Sequence, residues 1–166
     1  MMMNNREWIA AEFSKGIEAE HRLSTEARAR AENPPHPSLA VLYNQIADED
    51  ERHRAVIETI ATRYGHTPSR SAGGGLGETL SRLTDKVTEM NSNAMQLVSG
   101  DLAARANAIH WTAAWVHAFE EIGDGESARE LASLLTEEKA HQDALQEALN
   151  RFVAEGARTG TLETAR

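Results

Sequence analysis

The sequence contains no cysteine, only four prolines and few aromatic residues, which make up 5% of the chain. The absence of cysteine excludes disulfides, thiolate zinc sites and cysteine nucleophiles. Alanine, glutamate and leucine recur throughout, and this composition favours helix. No segment shows the alternating pattern of a strand. The sequence therefore predicts an all-α protein.

Long apolar runs and excess positive charge are also lacking. No run approaches the roughly 18 apolar residues of a membrane span, and the polar start of the chain predicts no signal peptide. The formal net charge of −9 argues against nucleic acid or an anionic membrane surface as a partner. We expect a cytoplasmic protein that binds neither.

Proline and glycine divide the chain into predicted helices. Breaks are expected at residues 33–37, 99–101 and 123–125. Residues 1–155 are predicted to form a single helical domain, because 166 residues suit one sizeable core, and 156–166 form a polar tail. The predicted helices span about 5–32, 37–64, 78–98, 101–122 and 125–155.

The lengths of the connections predict the topology. Short turns join the first two and the last two helices into antiparallel hairpins. The helix between the hairpins would be about 30 Å long at 1.5 Å per residue, enough to cross the length of the bundle. We therefore expect an antiparallel four-helix bundle with an additional long crossover helix.

Potential metal ligands interrupt the apolar stripes of three helices. Glu20 falls in the buried row of the first helix. The second helix carries Asp50 and His53 between apolar residues, and the last carries Glu138 and His141. A carboxylate and a histidine three residues apart share one helix face, where both can reach the same ion. These five residues predict a carboxylate–histidine metal site.

Position along the hairpins supports a common site. Counting back from the first turn places Glu20 level with Asp50. The same counting across the second turn makes His110 the ligand-capable residue of the fourth helix nearest to the level of His141. His110 and Glu49, an alternative carboxylate beside Asp50, are weaker candidates for metal ligation.

The second and last helices echo each other at an offset of 88 residues. Residues 49–53 read Glu-Asp-Glu-Arg-His, and residues 137–141 read Glu-Glu-Lys-Ala-His. The echo indicates two related hairpins. The counterpart of Glu20 would then be residue 108, where the chain has alanine.

This pattern resembles the ferritin-like superfamily of di-iron carboxylate proteins, especially its rubrerythrin-like and bacterial stress-associated members. Those proteins carry a glutamate on each of two helices and Glu-x-x-His on each of the other two. Glu20 matches the first glutamate, residues 50–53 match one motif with aspartate for glutamate, and residues 138–141 match the other. The second single glutamate is missing, because its expected position is occupied by Ala108. The resemblance covers roughly residues 5–155 and implies a ferritin-like bundle.

The incomplete ligand set leaves several functions open. It could hold one Fe, Mn or Zn ion or an asymmetric pair, which the resemblance connects with iron handling or oxygen and peroxide chemistry. The alternative is a non-catalytic bundle with a degenerate site, acting in stress response or through an interaction surface. No catalytic residue is assigned.

Neither a cofactor motif nor a defined partner emerges. The glycine run at residues 73–77 lacks the preceding strand and the lysine of a phosphate-binding loop, so no organic cofactor is predicted. Trp111 and Trp115 are one turn apart and are expected to pack in the core or to mark a dimer face. A homodimer or higher homo-oligomer through helix faces is expected.

Overall fold

The computed structural model describes residues 4–66 and 94–159, which form four long α-helices and no strand. The predicted all-α bundle is therefore confirmed. A short 3-10 helix, Pro37–Leu39, precedes the second α-helix. The α-helices are α1 Asn5–Glu32, α2 Ala40–Arg63, α3 Ala94–Glu121 and α4 Gly125–Thr159.

Local sequence signals explain where several helices begin and end. Asn4 caps α1 through a reciprocal capping box with Glu7, which satisfies amides that the helix itself leaves unpaired. Gly65, with φ +90°, follows α2, and Gly123, with φ +79°, lies in the turn before α4. Both glycines adopt the left-handed conformation that ends helices at little steric cost.

Contacts at the two ends of the bundle establish the helix directions. At one end the Tyr64 hydroxyl donates to Asp124 over 2.6 Å, and at the other the ring centroids of His36 and Phe152 are 5.1 Å apart. The chain regions around α2 and α4 therefore run in opposite directions. Because α3 and α4 form a hairpin, α3 runs parallel to α2.

The parallel course of α2 and α3 agrees with the predicted connectivity of hairpin, crossover and hairpin. α2 ends near the C-terminal end of α3, at the opposite end of the bundle from where α3 begins. The predicted crossover helix itself falls mainly within residues 67–93, which lie outside the described residues. Its last five predicted residues, 94–98, belong to α3.

The predicted helix break at residues 99–101 is wrong, because α3 is continuous through it. Val98 and Leu102 are buried on the inner face, whereas Gly100 is exposed. Glycine costs a helix about 1 kcal/mol, which the burial of the flanking residues outweighs. Asp101, instead of capping a helix, accepts hydrogen bonds from Tyr43 and Arg30.

The predicted helix end at residue 155 is also wrong, because α4 continues to Thr159. Phe152 is 4% exposed and ties this last part of the helix to the bundle. Arg158 lies in the final turn, where a cation interacts favourably with the helix dipole. Residues 160–166 of the predicted tail lie outside the described residues.

The core consists of two apolar clusters with a polar layer between them. One cluster surrounds Phe13 and Phe119, and the other surrounds Tyr43 and Phe152. Trp115 is buried in the first cluster, but Trp111 is exposed. No described helix is long and apolar enough to cross a membrane. The chemistry-bearing residues are concentrated in the polar layer.

Candidate metal centre

Six ionisable side chains lie buried in the polar layer, and every helix contributes at least one. Burying such groups is costly unless they are paired or coordinate a metal. All six are at most 4% exposed, and two have no measurable exposure. The five main ligand candidates from the sequence therefore converge, and a cation that the sequence reading missed joins them. The six are Glu20, Asp50, His53, Arg105, Glu138 and His141.

One part of the layer, which we call the acidic half, consists of Glu20, His53 and Glu138. Each offers a ligand atom, and these atoms all lie within 4.8 Å of one another. Glu20 Oε2, His53 Nδ1 and Glu138 Oε2 are buried and have no hydrogen-bond partner among the described residues. Buried polar atoms without a partner are rare in folded proteins. Three such atoms this close together could hold a metal ion.

The His53 ring is oriented from outside the acidic half. Its Nε2 lies 3.0 Å from Glu137 Oε2, and an ionised carboxylate only accepts hydrogen bonds. In the neutral ring Nε2 therefore carries the proton, which leaves the Nδ1 lone pair facing Glu138, whose Oε1 is 3.8 Å away. A carboxylate that holds the far nitrogen of a histidine is the usual support for a metal-binding imidazole.

The other part, the arginine half, consists of Asp50, Arg105 and His141. Arg105 donates to both oxygens of Asp50, over 3.1 Å to Oδ1 and 2.7 Å to Oδ2. Its Nη1 also lies 3.3 Å from His141 Nδ1. Because a guanidinium only donates, Nδ1 accepts and His141 Nε2 carries the proton that it donates to Glu49. The ligand atoms of this half are already engaged.

The two halves are related by a crosswise exchange between the echoed motifs. His53 of α2 pairs with Glu137 of α4, and His141 of α4 pairs with Glu49 of α2. The first acidic residue of each motif thus orients the histidine of the other. The halves differ in their third member, which is Glu20 in the acidic half and Arg105 in the arginine half.

The electrostatics of the layer follow from burial and crowding. Burial, and then the charges of Glu138 and Asp50, raise the pKa of Glu20 to about 8. Burial alone would lower the pKa of His53, but Glu138 and Glu137 outweigh it and raise that pKa. When ionised, the three buried carboxylates outnumber the single guanidinium by two negative charges. One divalent cation would balance them.

The acidic half fits a metal in donor chemistry and in size. Carboxylate oxygen and imidazole nitrogen are ligands that suit Fe, Mn and Zn. At bond lengths of about 2.0–2.2 Å, two ligands of one ion lie at most about 4.4 Å apart. The limit of 4.8 Å on the separations of the atoms therefore requires only small side-chain movements. The residues fit one ion.

The two weaker ligand candidates, His110 and Glu49, both lie outside the buried layer. His110 is exposed, because two residues beyond Ala108 the helix has turned its side chain outwards. The prediction of His110 as a substitute ligand is therefore wrong. Glu49 lies at the rim, bonded to His141. Ala108, at the place of the expected carboxylate, is 7% exposed and presents only a methyl group.

Sequence reading missed two residues of the site, Arg105 and Glu137. A signal for Arg105 was present, since it shares a buried helical row with Leu102, Ile109 and Thr112, where a cation is unusual. For Glu137 the signal was the internal echo, which aligns it with Glu49, but its position on α4 is partly exposed and its role depends on a histidine of another helix.

Comparison with known proteins adds information on the fold. No protein-family profile matches the chain, and no curated protein matches it. A crystal structure of a protein from Xanthomonas campestris pv. campestris str. ATCC 33913 is similar, with a TM-score of 0.76 and 18% identity. The match covers 96% of this chain and 100% of that chain. It supports the architecture of the bundle alone.

Proposed function

We propose that this protein binds one divalent metal ion through Glu20, His53 and Glu138. The observation that carries the proposal is the set of three buried ligand atoms without a hydrogen-bond partner among the described residues. They come from α1, α2 and α4 and lie close enough to bind a common ion. A cation bound between them would give all three atoms a partner at once.

Arg105 is the reason for proposing a single ion. Its guanidinium lies between Asp50 and His141, the two residues that would hold a second ion. A fixed cation repels a metal ion and occupies the lone pairs that the metal would need. Ala108 adds no carboxylate on the same helix. The predicted asymmetric pair of ions is therefore disfavoured.

We further propose that the chain is a ferritin-like protein and that the ion is Fe or Mn. The ligand set and the order of the helices support this assignment. Such an ion would supply redox or Lewis-acid chemistry. We therefore propose that the protein acts in iron handling or in oxygen and peroxide chemistry. A cytoplasmic location and a homo-oligomer through helix faces stay predictions of the sequence.

The test is the metal content of protein purified without chelator from cells supplied with Fe or Mn. Mass spectrometry should find about one equivalent of metal per chain. Glu20→Gln and Glu138→Ala should lose it, since each removes a ligand. Glu18→Gln is the matched control, because Glu18 is exposed on the same helix as Glu20, and it should retain the metal.

Substoichiometric metal in the wild type, unchanged in Glu20→Gln, would contradict the proposal. That outcome would favour the alternative of a non-catalytic bundle that acts through its surface. Substitution of the exposed Trp111, which is 59% accessible, should then alter assembly or partner binding while leaving the fold intact.

A further inference from the structure

A cavity of about 190 Å³ lies between α1 and α3, beside the acidic half. Small residues face each other there: Gly16 and Ala19 on α1, and Ala104 and Ala108 on α3. Because their side chains are short, the space between the two helices is not filled. We call this space the side pocket.

The walls of the side pocket are mostly apolar. Phe13, Leu23, Ile57 and Trp115 contribute buried side chains to the lining. The exposed indole of Trp111 also lines the pocket. Three charged residues, Glu12, Lys15 and Arg22, also line the pocket, but they are partly or fully exposed. The buried part of the wall is apolar and favours an uncharged ligand, because an ion would lose its hydration there.

Two buried polar residues, Glu20 and Thr112, line the pocket, and Glu20 is the one with a carboxyl group. Glu20 is part of the lining and only 4% exposed, and its Oε2 has no hydrogen-bond partner among the described residues. A ligand with a hydrogen-bond donor would satisfy a carboxyl oxygen that an entirely apolar ligand would leave unpaired. The same carboxyl group belongs to the acidic half, so its oxygens are available to a pocket ligand in the metal-free protein.

The volume of the side pocket limits the size of the ligand. An apolar cavity of about 150 Å³ accommodates benzene. About 190 Å³ is then sufficient for one six-membered ring with a small substituent, and too small to enclose a fused polycyclic molecule or a nucleotide.

We infer that the side pocket is a binding site for a small, uncharged, single-ring molecule that donates a hydrogen bond to Glu20. Phenols and cyclic alcohols are the chemical class. The inference goes beyond metal binding, because the pocket shares only Glu20 with the acidic half and its apolar walls require no metal.

The test compares p-cresol, which has a donor, with toluene, which has none, by calorimetric titration of chelator-treated protein. We expect saturable one-to-one binding of p-cresol, at least tenfold tighter than toluene. Glu20→Gln keeps a carbonyl acceptor and should retain p-cresol binding within a few-fold, although the metal proposal predicts that it loses metal. Glu20→Leu should remove the preference for p-cresol.

Two glycines provide a matched pair of variants for filling the pocket. Gly16 lines the pocket and Gly100 does not. A Cβ added at either would meet nothing within 4 Å beyond its chain neighbours and the backbone of its own helix. Gly16→Leu should weaken p-cresol binding at least tenfold, whereas Gly100→Leu should leave it unchanged. Both variants gain helix propensity, so both are expected to fold.

Failure of this inference is distinguishable from failure of the metal proposal. Three results would overturn the proposal of a ligand site in the side pocket: no saturable binding of p-cresol, equal binding of toluene, or unchanged p-cresol binding in Gly16→Leu. None of these results concerns metal stoichiometry. Conversely, a protein that binds p-cresol as described but retains no metal would overturn only the metal proposal.

Discussion

Arg105 holds both carboxylate oxygens of Asp50, over 3.1 Å and 2.7 Å, in a pair that joins α3 to α2 inside the bundle. Asp50 is completely buried and Arg105 is 3% exposed. A paired arrangement with two parallel hydrogen bonds is the strong form of a carboxylate–guanidinium contact. In this layer a side chain provides the positive charge that a second metal ion would otherwise bring.

Removal of the guanidinium should destabilise the protein. Arg105→Met leaves the Asp50 carboxylate buried without its partner, and we expect the free energy of unfolding to fall by about 3–5 kcal/mol. The measurement is urea unfolding in the presence of chelator. Arg105→Met with Asp50→Leu should recover much of the loss, because the Asp50 carboxylate that would lack its partner is also removed. Equal stability of Arg105→Met and wild type would show that the pair contributes little.

Exchange of the internal cation for a carboxylate should create a second metal position. Arg105→Ala frees Asp50 and His141, and Ala108→Glu supplies the carboxylate that the third bundle helix lacks. We expect the double variant to bind about two metal ions per chain, compared with one in the wild type. Titration with Zn²⁺, followed by measurement of bound metal, would detect this. A stoichiometry that stays at one would mean that Arg105 is not what excludes the second ion.

The crosswise carboxylates should differ in their effect on metal affinity. Glu137→Gln weakens the support of His53 in the acidic half, and loss of such a carboxylate typically costs 10- to 100-fold in affinity. Glu49→Gln makes the equivalent change next to His141, in the arginine half, and should change affinity little. Competition with a chromophoric chelator measures both. Equal losses in the two variants would contradict the assignment of the ion to the acidic half.

The raised pKa of Glu20 predicts a pH-dependent stability of the metal-free protein. In the unfolded chain Glu20 has its ordinary pKa of 4.5, and in the folded protein about 8. Its contribution to stability is therefore fully present below pH 4.5 and is lost as the pH rises through 8. Relative to Glu20→Gln, the wild type should lose on the order of a few kcal/mol between pH 5 and pH 9.

Unfolding titrations at several pH values, with chelator present, would measure this difference. Glu18→Gln, an exposed change on the same helix, should follow the wild type at every pH. Excess Zn²⁺ should stabilise the wild type at high pH, because metal ligands bind in their ionised form. A constant difference between wild type and Glu20→Gln across this range would show that Glu20 titrates normally.

The sequence predicted most of the fold because its signals are local. The Asn4 capping box and Gly65 mark helix ends through contacts within a few residues, and the spacing of apolar residues identified the buried face of each helix. The same spacing placed Glu20, His53 and Glu138 on inner faces, where the structure has them. The error at Gly100 arose because an unfavourable local residue was outweighed by burial of its neighbours.

The sequence by itself thus determined the helices, their inward faces and the chemical types of the candidate ligands, because helix periodicity and residue spacing depend on neighbouring residues. Only the tertiary structure decided how the ligands are shared. Three features depend on distances between residues far apart in the chain: the contact of Arg105 with Asp50, the pairing of His53 with Glu137, and the side pocket beside Ala108. Such distances exist only once the four helices have packed, so no local pattern encodes them.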